Sequence, residues 1–220
     1  MRITFITTVY NEEKNIEVFL QSLFSQSLLP DEIIIVDGGS TDNTLYKISN
    51  FQFPISKKRI KIVSKKGNRS VGRNEAIRNA TGDIIVCSDA GNILDQKWIE
   101  NITKPFTKKH VGVVAGYYKG KAKTIFEKCL IPYALVMEDK VNEKTFLPST
   151  RSMAFKKSIW KKVGGFNEEY FHNEDYVFAK RLKKIGTQIV FVKDAVVYWL
   201  PRKNIKQAFI MFFRFSFGDG

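Results

Sequence analysis

Three places in the 220-residue chain set an acid or a cluster of hydrogen-bonding groups where an apolar run stops. Thr7, Thr8, Tyr10, Asn11 and Glu12 close the first run; Asp37 opens "DGGSTDNT" after "EIIIV"; Ser88 and Asp89 follow "DIIVC". An acid at such a place can simply cap the helix that follows. Gathered at the carboxyl ends of neighbouring parallel strands, the same groups would line the crevice in which open α/β sheets bind ligands. Asp37 could then accept a hydrogen bond from a base imide or a ribose hydroxyl, while Gly38 and Gly39 let the backbone turn sharply and approach closely.

A second signal is cationic. Residues 57–73, "KKRIKIVSKKGNRSVGR", carry eight Lys and Arg and no acid, ending in a small-residue turn and a helix start. Helix-terminal N–H groups with the guanidinium of Arg69 or Arg73 suit a diphosphate. A solvated charged face is the alternative reading for Lys57 to Lys66. No GxxxxGK[ST] occurs and no GxGxxG follows a strand, which weakens P-loop and dinucleotide-binding readings.

The elements that must position these groups alternate. Short apolar runs predict strands over 2–8, 31–37, 59–64, 83–89 and 111–117, and amphipathic stretches predict helices over 12–25, 42–50, 70–80 and 95–107. That alternation predicts helices covering both faces of a largely parallel sheet. Beyond about residue 118 the pattern predicts a helix over 122–140, an extended stretch over 145–155, a short helix over 156–163 and a helix starting near Asn173 and ending at Gly186. "TQIVFVKDAVVYWL" predicts a strand pair or one bent strand. With no repeat, low-complexity tract or linker, one compact domain is expected.

Composition sets the outer bounds. A 44 % hydrophobic content suffices for a core, and 36 Lys and Arg against 22 acids give a formal net charge of +14. Such a charge calls for a phosphate-bearing ligand, an anionic membrane surface or nucleic acid. Cys87 and Cys129 lack CxxC spacing or a His cluster and are expected to be reduced core thiols. The start is too short in apolar residues for a signal peptide, and no run reaches a membrane span.

Five segments, in order and spacing, resemble the family 2 glycosyltransferases of the GT-A fold: "TTVYNEEKNIEVFLQSL", "IIIVDGGSTDNT", "GRNEAIRNATGDIIVCSDAG", "VGGFNEEYFHNEDYVFAKRL" and "KKIGTQIVFVKDAVVYW". The resemblance implies a domain over about 1–200, with a nucleotide-binding half over 1–117 and an acceptor half over 118–200, built on one Rossmann-like, mostly parallel sheet. It implies an inverting transfer from a nucleoside-diphosphate sugar, UDP-linked by preference, to a glycan or lipid-linked acceptor. Thr8, Tyr10, Glu12 and Asp37 would surround the nucleoside, Arg73 would lie near the diphosphate, and Asp89 would be the first acid of the metal-binding pair. Asp175 matches the family's base. The chemistry agrees: inversion needs a carboxylate to take the acceptor hydroxyl's proton. Glu174 beside it is the base itself or orients a basic residue, since adjacent helical residues face about 100° apart.

The chain departs from that family where the second acid belongs. It reads Asp89-Ala90-Gly91, with Trp199 where a metal-binding His often stands. A weak or substrate-assisted Mn2+ or Mg2+ site on Asp89 is expected, helped by Ser88 or Asn92, with Arg69, Arg73, Arg202 or Lys203 taking part of the metal's role. "STRSMAF" offers Arg151 and Ser152 to the acceptor or the phosphates, and His172, just before the "NED" acids, is expected to shape the acceptor mouth. Residues 203–217 crowd Ala208, Phe209, Ile210, Met211, Phe212, Phe213, Phe215 and Phe217 among Lys203, Lys206 and Arg214, which fits an interfacial helix over 201–220 on the cytoplasmic face of an anionic membrane. The natural chain is expected to continue past Gly220.

Competing readings are a sugar nucleotidyltransferase, a non-catalytic polyanion binder and a nucleotide-sugar-binding pseudoenzyme. The first needs a glycine-rich basic loop where "TTVYNEE" stands. The second lacks a nucleic-acid motif, and the aromatics do not alternate with the 57–73 cations, so no nucleic-acid partner is expected.

Overall fold

The computed structural model describes residues 1–54 and 59–218. Lys57 and Lys58 of the basic stretch, the terminal Asp219 and Gly220, and the side chains of Arg214, Phe215 and Phe217 lie outside the described residues. Along the chain, strands β1 (Ile3–Val9), β2 (Glu32–Asp37), β3 (Ile60–Ser64) and β4 (Ile84–Cys87) alternate with helices α1 (Ile16–Phe24), α2 (Thr44–Asn50) and α3 (Arg69–Asn79). Then come β5 (Asn92–Leu94), α4 (Trp98–Thr103), β6 (Val113–Gly120), α5 (Ile125–Ala134), β7 (Met153–Lys156), α6 (Lys157–Val163), α7 (Glu174–Lys184), β8 (Ile189–Trp199) and α8 (Ile205–Gly218).

All eight strands form one sheet in the order β3-β2-β1-β4-β7-β6-β8-β5. Strands β1 to β4 are mutually parallel; β7 runs antiparallel between β4 and β6, and β6 pairs β8 in parallel. The period-2 alternation of side chains sorts each central strand between two cores. Phe5, Ile33, Ile35, Ile84 and Val86 meet α1, α2 and α4 through Phe19, Leu20, Ile48, Trp98 and Ile102. Ile6, Ile34, Val36, Ile85 and Cys87 meet α3 and α7 through Ala76, Ile77, Phe178 and Leu182. The expected α/β layout with helices on both faces is what the chain adopts.

Several boundaries differ from the pattern's expectation. Of the stretch expected to be helical over 122–140, Ile125–Ala134 is α-helix with Pro132 inside it; Leu135 is extended, and one 3-10 turn follows at Glu138–Lys140. The capping box of Thr124 and Glu127 fixes its start. Within 145–155 only Met153–Lys156 is strand; Thr145 and Phe146 instead donate their N–H groups to the Asn142 carbonyl in a local turn. "TQIVFVKDAVVYWL" gives one bent strand: opposite Gly116 and Tyr117 the pairing on β8 jumps from Val192 to Val196. Gly116 permits that bend, since a Cβ there would lie 2.0 Å from Ser152 Oγ and 2.6 Å from the Ala195 carbonyl. Strand β5 went unanticipated because three residues are too short to show a period. Cys87 is buried, with its thiol pushed up to about 12 by desolvation, whereas Cys129 is exposed on α5, contrary to the expectation of a core thiol.

Glu32, only 4 % exposed, ties the parallel strands together at their amino ends. Its carboxylate accepts from Thr4 Oγ1 at 2.8 Å and from the Thr81 N–H at 2.8 Å, and pairs with Lys61 Nζ at 3.0 Å. Desolvation alone would raise its pKa, but these donors win and hold it at about 2 instead of the ordinary 4.5. A depressed folded-state pKa adds stability that is present above the unfolded value and lost as pH falls through the folded one. In thermal melts across this range, the wild-type midpoint should fall as pH drops from 4.5 toward about 2. Glu32→Gln should melt lower at neutral pH and lose less over that interval; an equal loss would remove Glu32 from the acid response.

Candidate active site

The carboxyl ends of β1, β2 and β4 do converge, with Val9 paired to Asp37 and Ile6 to Cys87. Asp37 is buried, and its carboxylate accepts from the Gly39 N–H at 2.9 Å and the Ser40 N–H at 3.1 Å, with Gly39 at φ +99° completing the turn. Asn11, itself left-handed at φ 53°, accepts from the Thr41 N–H at 2.9 Å, lacing the loop after β1 to the loop after β2. Thr8 is half-buried and Tyr10 is exposed on this rim.

Arg73 is the centre of the arrangement. It is 3 % exposed and donates through Nη1 to Glu174 Oε1 at 2.5 Å and through Nη2 to Asp89 Oδ1 at 2.9 Å, while its guanidinium lies 5.7 Å from the Phe166 ring. Desolvation opposes its charge, but Glu174, Asp89 and Asp175 more than restore it and push its pKa above the ordinary value. Helix α3 comes close enough to deliver this side chain because residue 72 is glycine: a Cβ there would sit 2.7 Å from Thr8 Cγ2.

Asp89 is the acid that the cations keep ionised. Burial would raise its pKa, yet the guanidiniums of Arg73, Arg69 and Arg151 hold it below the usual carboxylate range. Glu12 behaves oppositely: desolvation, reinforced by Asp89, lifts its pKa despite a hydrogen bond from Asn15 and the charges of Arg202 and Arg69. The Glu12 carboxylate lies about 4 Å from where a Cβ on Gly91 would stand, so the turn after Asp89 abuts it. Ser88 and Ala90 are buried beside Asp89, with the Ser88 hydroxyl 3.3 Å from Asn92 Nδ2.

Among the described residues no three His, Cys, Asp or Glu side chains cluster to hold a metal ion. Asp89 commits Oδ1 to Arg73 and has a second oxygen, the sort of single hard donor that suits a divalent cation carried mainly by phosphate oxygens and water.

Across the cleft, α7 begins at Glu174, with Asn173 left-handed at φ 55° before it. Glu174 turns inward to Arg73 and is 4 % exposed, whereas Asp175 is half-buried and accepts from Ser149 Oγ at 2.7 Å. Arg151 lies over the Tyr118 ring at 5.4 Å. Of the groups expected to meet an acceptor, Arg151 reaches this cleft and His172 sits half-buried in the turn before α7. Ser152 is not brought there: it is fully buried, taking the Trp98 indole N–H at 2.8 Å and donating to the Ala195 carbonyl at 3.1 Å. Ser149 and Tyr118 were not legible as site residues, since one sits in a loop and the other resembles any core aromatic.

The Glycosyl transferase family 2 model matches residues 4–164 of the chain. Over 217 residues the chain is 26 % identical to glycosyltransferase GlyG of Streptococcus pneumoniae, covering 92 % of this chain and 71 % of that protein. Among solved structures it superposes on the mannosyltransferase PcManGT of Pyrobaculum calidifontis, in complex with GDP-Man and Mn2+, with a TM-score of 0.72, 25 % identity and coverage of 94 % of this chain and 59 % of that one. For S. aureus TarS 1-349 in complex with UDP-GlcNAc the TM-score is 0.73 at 21 % identity, covering 93 % of this chain and 60 % of that one. The chain thus spans less than two thirds of either solved protein.

The unequal surroundings of the two adjacent acids have a measurable consequence. Glu174→Ala strands one side of a buried guanidinium and should cost about 3 kcal/mol in urea unfolding. Asp175→Asn should leave the unfolding midpoint nearly unchanged. Equal losses from both would contradict the division between a structural and an open carboxylate.

Proposed function

The chain belongs to glycosyl transferase family 2 and is a glycosyltransferase of the GT-A fold, and we propose that it moves a sugar from a nucleoside-diphosphate donor, UDP-linked by preference, to a hydroxyl of a glycan or lipid-linked acceptor with inversion. The observation that carries this reading is the opposition of Asp175, open to the cleft, to an Asp89 ringed by three guanidiniums.

Each group then has a part. Thr8, Tyr10 and Asp37 line the nucleoside end, with the turn after Asp37 held open by the carboxylate's own bonds to the Gly39 and Ser40 N–H groups. Arg69, exposed in the first turn of α3, and Arg151 face the diphosphate and offset the charge that grows on it as the glycosidic bond breaks. Arg73 acts from behind, fixing Asp89 on one side and α7 on the other. Asp175 takes the proton from the acceptor hydroxyl, and Ser149 holds the carboxylate in one orientation as it does so. A divalent cation arriving with the donor would be held by Asp89 and would add Lewis-acid neutralisation of the leaving phosphates.

The acceptor's setting follows from the other end of the chain. On α8, Ala208 and Met211 pack with Trp199, Leu130 and Leu135, while Ile205, Phe209 and Phe213 form an exposed stripe at four-residue spacing, with Phe209 and Phe213 stacked at 6.5 Å. Exposed Arg202, Lys203 and Lys206 stand at its start, which complements an anionic lipid surface. Among the described residues no helix is long and apolar enough to cross a membrane.

Calorimetric titration of UDP and GDP, with Mn2+, with Mg2+ and with chelator, tests the donor site. Metal-dependent binding of UDP lost in Asp89→Ala is expected; no binding of either nucleotide would sink the reading. Asp175→Asn should retain nucleotide affinity while transfer falls by about a hundredfold or more. Co-sedimentation should carry the protein down with phosphatidylglycerol vesicles but not with phosphatidylcholine vesicles. The double change Phe209→Glu and Phe213→Glu should release it; persistent sedimentation of that variant would place the contact elsewhere.

A further inference from the structure

Next to the open carboxylate lies a cavity of about 290 Å³ between β6 and the segment 136–147, lined chiefly by Tyr118, Val136, Lys140, Asn142, Thr145 and Phe146. Tyr118 belongs to both places. Its ring is 5.9 Å from that of Phe146 and 6.0 Å from that of Tyr117, and the Arg151 guanidinium lies 5.4 Å from it. Desolvation holds the phenol above its ordinary pKa, against the charge of Arg151 and with that of Asp175, so Tyr118 lies within electrostatic reach of both. The same segment of chain continues from the cavity wall to Ser149, whose hydroxyl bonds Asp175. Cavity and base are thus two ends of one short path.

The lining has a definite chemistry. Tyr118 and Phe146, edges of a ring cluster with Tyr117 and Phe191, contribute apolar surface, and Lys140, Asn142 and Thr145 contribute an ammonium, an amide and a hydroxyl to the lining. Flat apolar surface beside short polar side chains matches a pyranose ring, which has C–H faces and a hydroxyl edge. No carboxylate lines the space, so it favours a neutral or anionic sugar over an amino sugar carrying a free ammonium. Its volume lies just below the usual range of small-molecule sites, about 300–1,000 Å³, which limits an occupant to one ring. An alkyl chain would cover Lys140, Asn142 and Thr145 without offering any of them a hydrogen bond.

We propose that this cavity seats the terminal pyranose residue of the acceptor, presenting one of its hydroxyls to Asp175, so that the enzyme extends an existing glycan end instead of glycosylating a bare lipid phosphate. The inference rests on the assignment of Asp175 as base, but its test does not. Saturation-transfer NMR with methyl glycosides of glucose, galactose, N-acetylglucosamine and rhamnose, and separately with octyl phosphate, reads contact directly, with and without UDP. At least one glycoside should receive saturation on its ring C–H protons.

Thr145→Arg fills the cavity from an exposed position, and Phe146→Leu keeps apolar volume while removing a ring face. Each should weaken that glycoside's binding about tenfold or more, and calorimetric nucleotide affinity should stay at the wild-type value. Saturation of octyl phosphate with none on any glycoside would overturn the inference, as would glycoside binding indifferent to both variants. Either result would leave the donor site standing if nucleotide still bound, whereas loss of nucleotide binding in the wild type would strike the donor reading alone.

Discussion

A guanidinium with 3 % of its surface exposed cannot stay charged without counter-charges, and Arg73 finds them on two elements far apart in sequence. Asp89 follows β4 in the first half of the chain, and Glu174 starts α7 in the second half. Breaking either contact leaves buried charge, so the two halves are held in one relative position by electrostatic necessity as well as by packing. The rest of α3 reinforces this. Asn74 donates to the Phe166 carbonyl at 2.8 Å and accepts from the Phe166 N–H at 3.0 Å, and Asn68 donates to the carbonyl of Glu168. One face of one helix therefore shapes the segment that leads into α7, and with it the place of Asp175.

The charge excess of the chain becomes directional only in this setting. Arg69 and Arg73 from one helix and Arg151 from far along the chain hold Asp89 below the usual carboxylate range, while burial lifts the pKa of Glu12 beside it. Two neighbouring carboxylates are thereby driven apart in proton affinity, Asp89 downward by its cations and Glu12 upward by burial. In the proposed donor site such preset cations would not need to reorganise as charge develops on the diphosphate, and Arg73 fixes the Asp89 they surround. The segment of residues 145–151 has a parallel economy, joining the aromatic cavity, the Ser149 contact to Asp175 and the Arg151 contact to Tyr118 in seven consecutive positions.

Much of this was readable beforehand where a local rule governs. The four parallel strands and the helices between them follow from apolar runs and helical spacing, because side chains on a strand alternate faces and those on a helix recur by turns. The acids at strand ends were legible for the same reason: a strand's end is where the apolar run stops. Thr8, Asp37, Asp89 and Arg73 were singled out on type and place, and the fold gathers them on one rim.

Long-range polar pairing was not legible. Glu174 and Asp175 are neighbours in one helix, and no sequence rule says which turns inward; the answer is Arg73, about a hundred residues earlier, whose buried charge claims the nearer carboxylate. Ser152 looked available beside Arg151 but is consumed by Trp98 of α4 and Ala195 of β8, partners distant in sequence that only the folded chain brings within reach. By itself, then, the sequence determined the layers, the strand ends and the kinds of group placed there, since those depend on periodicity along the chain. The tertiary structure decided which carboxylate is structural and which is open, which guanidinium faces water, and where the aromatic cavity lies. Those depend on distances between segments that desolvation and pairing settle only once the chain has closed on itself.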